Sequence, residues 1–222
     1  MVKWSIKMKN LLTKLTESLL AYHPEVINYD EFKHSAIFLP LIETQGKTSL
    51  LFEKRTMNIT QGGEICFPGG RVEVNEVQNP LTTAIRETSE ELGIAIDKIS
   101  IISRLPRLIT PDGKLIDAFI GRIEKISFTD LVINPGEVDK IFTIPLATLK
   151  HLKFQEYQIN STNFSGDSSS DPSLLPVKKL GLPPKYQGSW GKKSYRVYYT
   201  EWQNEKIWGL TARYLKHIKE ML

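Results

Sequence analysis

Three glutamates, Glu87, Glu90 and Glu91, sit three and four residues apart in the segment PLTTAIRETSEEL at 80–92. On a helix these spacings stack side chains on adjacent turns, where like charges repel by about 0.2–0.5 kcal/mol per pair. Arg86, four residues before Glu90, can pair with only part of this charge. Carboxylates grouped in this way make a hard-oxygen site suited to Mg²⁺ or Mn²⁺, and such an ion commonly bridges the oxygens of a phosphorylated substrate. The plainer reading is a solvated acidic face. Context favours chemistry. The glycine-bearing stretch Gly62-Gly63-Glu64-Ile65-Cys66-Phe67-Pro68-Gly69-Gly70 leads in, and Glu73 and Glu76 form an acidic loop between that turn and the helix. A local violation of charge pairing is where function is expected.

The remaining reactive residue types carry less. Cys66 ends an apolar stretch, and packing is the preferred role over nucleophile. His23, His34, His151 and His217 show no ligand spacing. Trp190, Tyr195, Tyr198, Tyr199 and Trp202 could stack a base, but aromatics alternating along a strand usually build core.

Positioning the acidic face requires a helix over 80–92. Asn79 serves as its N-cap, Pro80 takes the first helical position where a missing N–H costs nothing, and Gly93 closes it. At about 100° per residue, Leu81, Ala84, Ile85, Thr88 and Leu92 share the core-facing arc, with the three glutamates opposite. Strands are predicted at 35–43 and 48–55, joined by a turn at 44–47. Further strands are predicted at 99–108, 115–125, 140–144 and 195–202, with a short helix from Pro145 and a last one over 207–221. Residues 8–21 place Leu11, Leu12, Leu15 and Leu19 on one helical face. The stretch 160–190 contains NSTNFSGDSSSDPS and LGLPPKYQGSWG, dense in polar and turn-forming residues, and reads as a mobile loop inside one domain spanning 1–222. Strands and helices mix without regular βαβ alternation, which predicts an α+β sandwich.

Length and composition agree with one ordinary core. The chain has 222 residues, 41% hydrophobic and 24% charged, and its one cysteine rules out an internal disulfide or a cysteine-built zinc site. No apolar run reaches the roughly 18 residues of a membrane helix. The lysine-bearing first twenty residues read as an amphipathic helix rather than a secretory signal, so a reducing cytoplasm is the expected location. The balance of 29 Lys+Arg over 25 Asp+Glu, net +4, suits phosphorylated small molecules but is too diffuse to make nucleic acid a partner. Homodimer formation stays open.

At the acidic helix the sequence resembles a known family. Gly70, Glu76, Arg86-Glu87, Glu90-Glu91, Gly93 and Ile94 resemble the Nudix box, G-x5-E-x7-R-E-U-x-E-E-x-G-U with U aliphatic. Two departures stand out: nine residues separate Glu76 from Arg86, and Thr88 replaces the aliphatic residue. The spacing leaves the role of Glu76 open. The resemblance implies a Nudix-type α/β/α sandwich with a mixed β-sheet. It also implies metal held by Glu87, Glu90 and Glu91 with the Gly69 carbonyl, Arg86 orienting a glutamate, and Glu137 in a late loop activating water.

Beyond the box, Leu50-Leu51, Gly63-x3-Phe67-Pro68-Gly69-Gly70, Asn134-Pro135-Gly136-Glu137-Val138 and Ile207-Trp208-Gly209-Leu210-Thr211-Ala212 are similar to the coenzyme A pyrophosphatases of this family. Ile59, Gln61 and Glu64 stand where that group usually has arginine, histidine and glutamine. The resemblance implies metal-dependent cleavage of the diphosphate in coenzyme A or its derivatives, giving 3′,5′-ADP and a phosphopantetheine product. Lys54 and Arg55, with Gly70, are the candidate substrate contacts, the two cations serving the 3′-phosphate. ADP-ribose or another nucleoside diphosphate derivative is the alternative substrate, and a catalytically silent ligand- or nucleic-acid-binding module is the alternative of another class.

Overall fold

Alternating and continuous apolar residues make β1 (Lys33–Thr44) and β2 (Lys47–Arg55), an antiparallel pair with Leu41 opposite Leu50 and Thr44 opposite Lys47. Gln45 and Gly46 between them have φ of 51° and 71°, the twist-matched turn of a two-residue hairpin. The computed structural model describes residues 2–20, 29–165 and 174–222. It divides into two compact units, Met1–Lys33 and His34–Leu222. The first holds α1 (Val2–Leu20), on which Leu11, Leu12, Leu15 and Leu19 are all exposed. Among the described residues no helix is long and apolar enough to cross a membrane.

In the second unit follow β3 (Ile65–Cys66), β4 (Gly69–Arg71), α2 (Pro80–Leu92), β5 (Ile99–Arg104), β6 (Leu108–Ile109), β7 (Lys114–Ile123), β8 (Val138–Pro145) and α3 (Leu146–Leu149). Then come β9 (Gln155–Ser165), β10 (Gly188–Trp202), β11 (Glu205–Trp208) and α4 (Gly209–Lys219). The main sheet runs β3-β2-β1-β7-β5, with β4 on β1, β6 on β7 and β8 on β2; a second sheet runs β11-β10-β9. Period-two alternation splits the main sheet's side chains between two layers. Ala36, Phe38, Ile42, Leu51, Phe119 and Ile123 pack toward Ala84 and Leu92 of α2. Leu39, Leu41, Leu50 and Phe52 pack with Ala212, Tyr214, Leu215 and Ile218 of α4. The result is the expected α+β sandwich of helix, mixed sheet and helix.

Several boundaries differ from the sequence reading, each for a local reason. The segment predicted as one strand over 99–108 breaks into β5 and β6 around Pro106, which lacks the N–H a ladder needs. The final helix starts at Gly209 because residues 205–208 first pair with β10. Within the expected loop 160–190, residues 160–165 and 188–190 are strand: β9 and β10 pair from Tyr199 opposite Gln155 to Gly188 opposite Ser165. Strand β9 is largely exposed, Tyr157 and Ile159 included, so no alternation of buried and polar residues marks it. Residues 166–173 of that loop lie outside the described residues. Of the aromatics expected to build core, Tyr198 and Trp202 pack against the large core, whereas Trp190, Tyr195 and Tyr199 are half-buried outside it.

A buried ion network fastens the start of β1 to β7. Asp117, fully buried, accepts hydrogen bonds from Arg107 Nε and Nη2 at 3.0 and 3.1 Å and from Arg104, and lies 2.7 Å from His34 Nε2. Despite a desolvation cost, these contacts hold its carboxyl below the ordinary range, Arg107 foremost. Its stabilisation is therefore present above the unfolded carboxylate value and lost as pH falls through the lowered one. Asp117→Asn strands two arginines beside a neutral amide. It is expected to cost about 2–4 kcal/mol of unfolding free energy at neutral pH, read by urea titration, and the difference is expected to vanish in acid.

Candidate active site

Helix α2 forms where the sequence puts it, but its cap and its faces differ in detail. Pro80 takes the first position and Gly93 closes the helix in the left-handed conformation, its N–H bonding the Ser89 carbonyl. Asn79 occupies the N-cap position without a side-chain cap bond. The buried residues are Pro80, Thr83, Ala84, Thr88, Glu91 and Leu92. Glu91 is thus not on the solvent side. Of the three glutamates, Glu90 is 57% exposed, Glu87 is half-buried and Glu91 is 3% exposed. The sheet face beneath Glu91 explains this: its Oε2 accepts the Gly69 N–H at 2.9 Å.

The glycines make that approach possible. Gly69 has φ +149°, and a methyl group there would stand 2.3 Å from the Ala36 carbonyl oxygen. At Gly70 a methyl would lie 2.3 Å from the carboxyl carbon of Glu87. Gly70 therefore lies directly against the helix carboxylates.

Arg86 spans three carboxylates. It donates to Glu76 through Nε at 3.3 Å and Nη2 at 3.2 Å, to Glu87 at 2.9 Å and to Glu90 at 3.5 Å. Thr83 Oγ1 donates to Glu76 at 2.6 Å. Arg86 and Thr83 together hold the Glu76 carboxyl below the ordinary range. The two extra residues between Glu76 and Arg86 do not prevent this pairing: the carboxylate of Glu76, at the end of a 3-10 turn over Val74–Glu76, still reaches the guanidinium.

The loop carrying Glu137 is tied to both sides of the site. Asn134 N–H bonds the Glu91 carbonyl at 2.9 Å, and the Glu137 carbonyl accepts Thr56 N–H at 2.9 Å. The negative charge of Glu137 bears on Glu53, Glu87 and Glu91 alike. Arg55 also belongs here: its Nε donates to the Thr60 carbonyl at 3.1 Å, and its charge favours the ionised forms of Glu53 and Glu91. Lys54, one residue earlier on β2, faces the opposite layer and pairs with Glu205 at 3.5 Å. The structure therefore brings Glu87, Glu91, Glu137, Arg55, Gly69 and Gly70 together, leaves Glu90 on the rim with Arg86, and separates Lys54 from the rest.

One acidic residue escaped the sequence reading. Glu53 on β2 is 1% exposed, and its Oε1 has no hydrogen-bond partner among the described residues. Burial first, and then Glu91 beside it, push the Glu53 carboxyl up; burial likewise raises Glu91, against the Gly69 hydrogen bond, with Glu87 adding to the rise. Glu87 is also raised by burial, even with Arg86 attached. Burial pushes the Cys66 thiol up to about 12, which disfavours the thiolate and agrees with a packing role.

Among the described residues no three His, Cys, Asp or Glu side chains already converge on one point at ligand distance. What fits a divalent cation is the donor chemistry: buried hard-oxygen carboxylates that repel one another, and a carboxylate oxygen without a partner. Residues able to contribute are the buried Glu53 and Glu91 and the half-buried Glu87, with Glu90 and Glu137 at the exposed edge.

An acidic helix held over a glycine-bearing strand, in a helix–sheet–helix sandwich, is an arrangement suited to holding a cation against phosphate oxygens. The NUDIX domain pattern matches residues 32–162. The chain belongs to the Nudix family and is a Nudix pyrophosphohydrolase. It is 31% identical over 170 residues to Nudix hydrolase 3 of Caenorhabditis elegans, covering 72% of this chain and 70% of that one. It is 30% identical over 125 residues to a mitochondrial coenzyme A diphosphatase of Homo sapiens, covering 55% and 52%. A solved Ap4A hydrolase of Caenorhabditis elegans superimposes with a TM-score of 0.43 at 19% identity, covering 51% of this chain and 80% of that one.

The raised carboxyls give the cation-free protein a distinctive pH dependence. Glu53 and Glu91 bind protons more tightly when folded than in the unfolded chain, where glutamate titrates near about 4.3. Their stabilisation is full below that value and is lost as pH rises through the raised ones. In excess EDTA, Tm is expected to fall between about pH 5 and pH 8. Scanning calorimetry across that range checks it, and a Tm constant or rising there contradicts the account.

Proposed function

We propose that this enzyme hydrolyses the diphosphate of coenzyme A or its derivatives in a reaction dependent on Mg²⁺ or Mn²⁺, releasing 3′,5′-ADP and a phosphopantetheine product. The observation that carries the hydrolytic part is the buried, mutually repelling carboxylate group of α2 set against Gly69 and Gly70. When bound, the cation supplies charge neutralisation for the diphosphate oxygens and acidifies a water for in-line attack. Glu87, Glu90 and Glu91, with the Gly69 carbonyl, are its proposed ligands. Glu90 would join from the rim, by leaving Arg86. Arg86 positions Glu87 and is itself fixed by Glu76. Glu137, on a loop anchored to α2 and β2, is the proposed acceptor of the water's proton.

The substrate class rests on the sequence segments shared with coenzyme A pyrophosphatases and is supported by the similarity to the human coenzyme A diphosphatase. Coenzyme A differs from ADP-ribose by a 3′-phosphate and a pantetheine arm. Arg55, on the same face of β2 as Glu53, is the proposed contact for that phosphate. Lys54 is not, since Glu205 on the other face already engages it.

Glu91→Gln is expected to lower kcat by about a hundredfold or more while the circular dichroism spectrum is unchanged, and EDTA is expected to abolish wild-type turnover until Mg²⁺ or Mn²⁺ is restored. Wild-type turnover by this variant under saturating metal contradicts the assignment.

Coenzyme A is expected to show a higher kcat/KM than ADP-ribose. One charge-assisted contact is worth roughly 1.5–3 kcal/mol, or about ten- to a hundredfold. Product chromatography with coenzyme A, dephospho-coenzyme A and ADP-ribose, in wild type and Arg55→Ala, makes the comparison. If ADP-ribose wins in wild type, the substrate class is wrong. If coenzyme A wins and Arg55→Ala leaves the preference unchanged, the choice of cation is wrong.

A further inference from the structure

We propose that Glu53 is a further ligand for the divalent cation, supplied by strand β2 opposite the carboxylates of α2. This rests on the cation-dependent reading above and adds to it a residue that lies outside the acidic motif.

The strand has no structural use for a carboxylate at this position. Alternation puts Leu51, Glu53 and Arg55 on the α2 side of β2, and Leu51 is fully buried against Ile42, Leu92 and Ile94. An apolar residue at 53 would continue that core. The backbone here is central, with Cys66 of β3 opposite Glu53 on one side and Ile141 of β8 on the other, so the side chain cannot turn out to solvent. Its carboxyl adjoins that of Glu91, with which it shares a side-chain hydrogen bond while Oε1 stays without a partner among the described residues, and the charge of Glu137 bears on both. Arg55 is the cation bearing on it, and its Nε is engaged by the Thr60 carbonyl.

Leaving a buried carboxylate oxygen unpartnered costs about 1–3 kcal/mol or more. A purely structural role would favour a glutamine or an aliphatic residue, either of which removes the like-charge opposition to Glu91. A divalent cation changes the balance: the oxygen that lacks a donor becomes a ligand, and the opposed carboxylates become one chelating pair. Glu53 and Glu91 already face one another, whereas Glu87 must first leave Arg86.

The test uses the full chain with Mn²⁺ alone, no substrate, followed by electron paramagnetic resonance of free Mn²⁺ and by calorimetric titration at fixed pH. Glu53→Gln is expected to weaken Mn²⁺ binding at least about tenfold or to remove one equivalent, and to melt in EDTA at or above the wild-type Tm. Glu53→Asp, which keeps the charge on a shorter arm, is expected to retain part of the affinity. Wild-type affinity and stoichiometry in Glu53→Gln overturn the proposal if Glu87→Gln and Glu91→Gln do lose Mn²⁺. A lower Tm in EDTA for Glu53→Gln also overturns it, because the carboxylate would then be holding the fold. If wild type binds no Mn²⁺, or all three glutamine variants bind it equally, the cation-dependent reading itself fails.

Discussion

The hydrogen bond from Gly69 N–H to Glu91 Oε2 joins the helix to the strand beneath it, and much of the site's geometry follows from that bond. A carboxylate can reach a strand backbone only where no side chain intervenes, and Gly69 and Gly70 provide that gap. Once Glu91 is drawn inward, the helix is rotated so that Glu87 lies over Gly70 and Glu90 is left at the edge. The same rotation exposes Arg86 to both Glu87 and Glu76, so the 3-10 turn that carries Glu76 is fixed by the helix it precedes. One short contact thereby sets the register of turn, helix and acidic loop.

That arrangement concentrates charge unevenly. Arg86 neutralises the outer side of the helix, where Glu76, Glu87 and Glu90 share its donors. The inner side, buried Glu91 and Glu53 with the exposed Glu137 beside them, has Arg55 as its cation and retains a net negative field. Buried like charges are tolerated only if protonated or neutralised by a ligand, so the inner side is the part of the molecule that stability alone would not select. At Asp117 the opposite holds: Arg104, Arg107 and His34 surround one carboxylate, and that cluster fastens strands together.

Local signals in the sequence were sufficient for the β1–β2 hairpin, for α2 with Pro80 at its start and Gly93 at its end, and for the acidic character of the site. They were insufficient wherever tertiary contact decides. Helical periodicity placed Glu91 on the polar face, because an angular projection assigns polar residues outward and cannot know that a glycine-lined strand will accept one. Glu53 sits inside an apolar strand pattern, and its only signal was a charged residue in phase with Leu51. Strand β9 lacks alternation because both of its sides are exposed, and its pairing with β10 is set across more than twenty intervening residues. The network at Asp117 joins β1 to β7 and has no local spacing to betray it.

Strand β2 shows how one alternation divides labour between two layers. Phe52 and Lys54 point toward α4: Phe52 stacks with Phe142 at 5.3 Å between ring centroids, and Lys54 meets Glu205 of β11, which Lys140 also engages. These residues tie the second sheet to the first. Glu53 and Arg55 point toward α2 and the carboxylates. In the proposed reaction, a substrate phosphate approaching that face would meet Arg55 and the carboxylates together. Two adjacent lysine and arginine residues, equivalent by composition, therefore have different fates because a strand turns each successive side chain by half a revolution. The pairing of Lys54 leaves Arg55 as the β2 cation on the site's own face, which concentrates any preference for an additional phosphate on a single guanidinium.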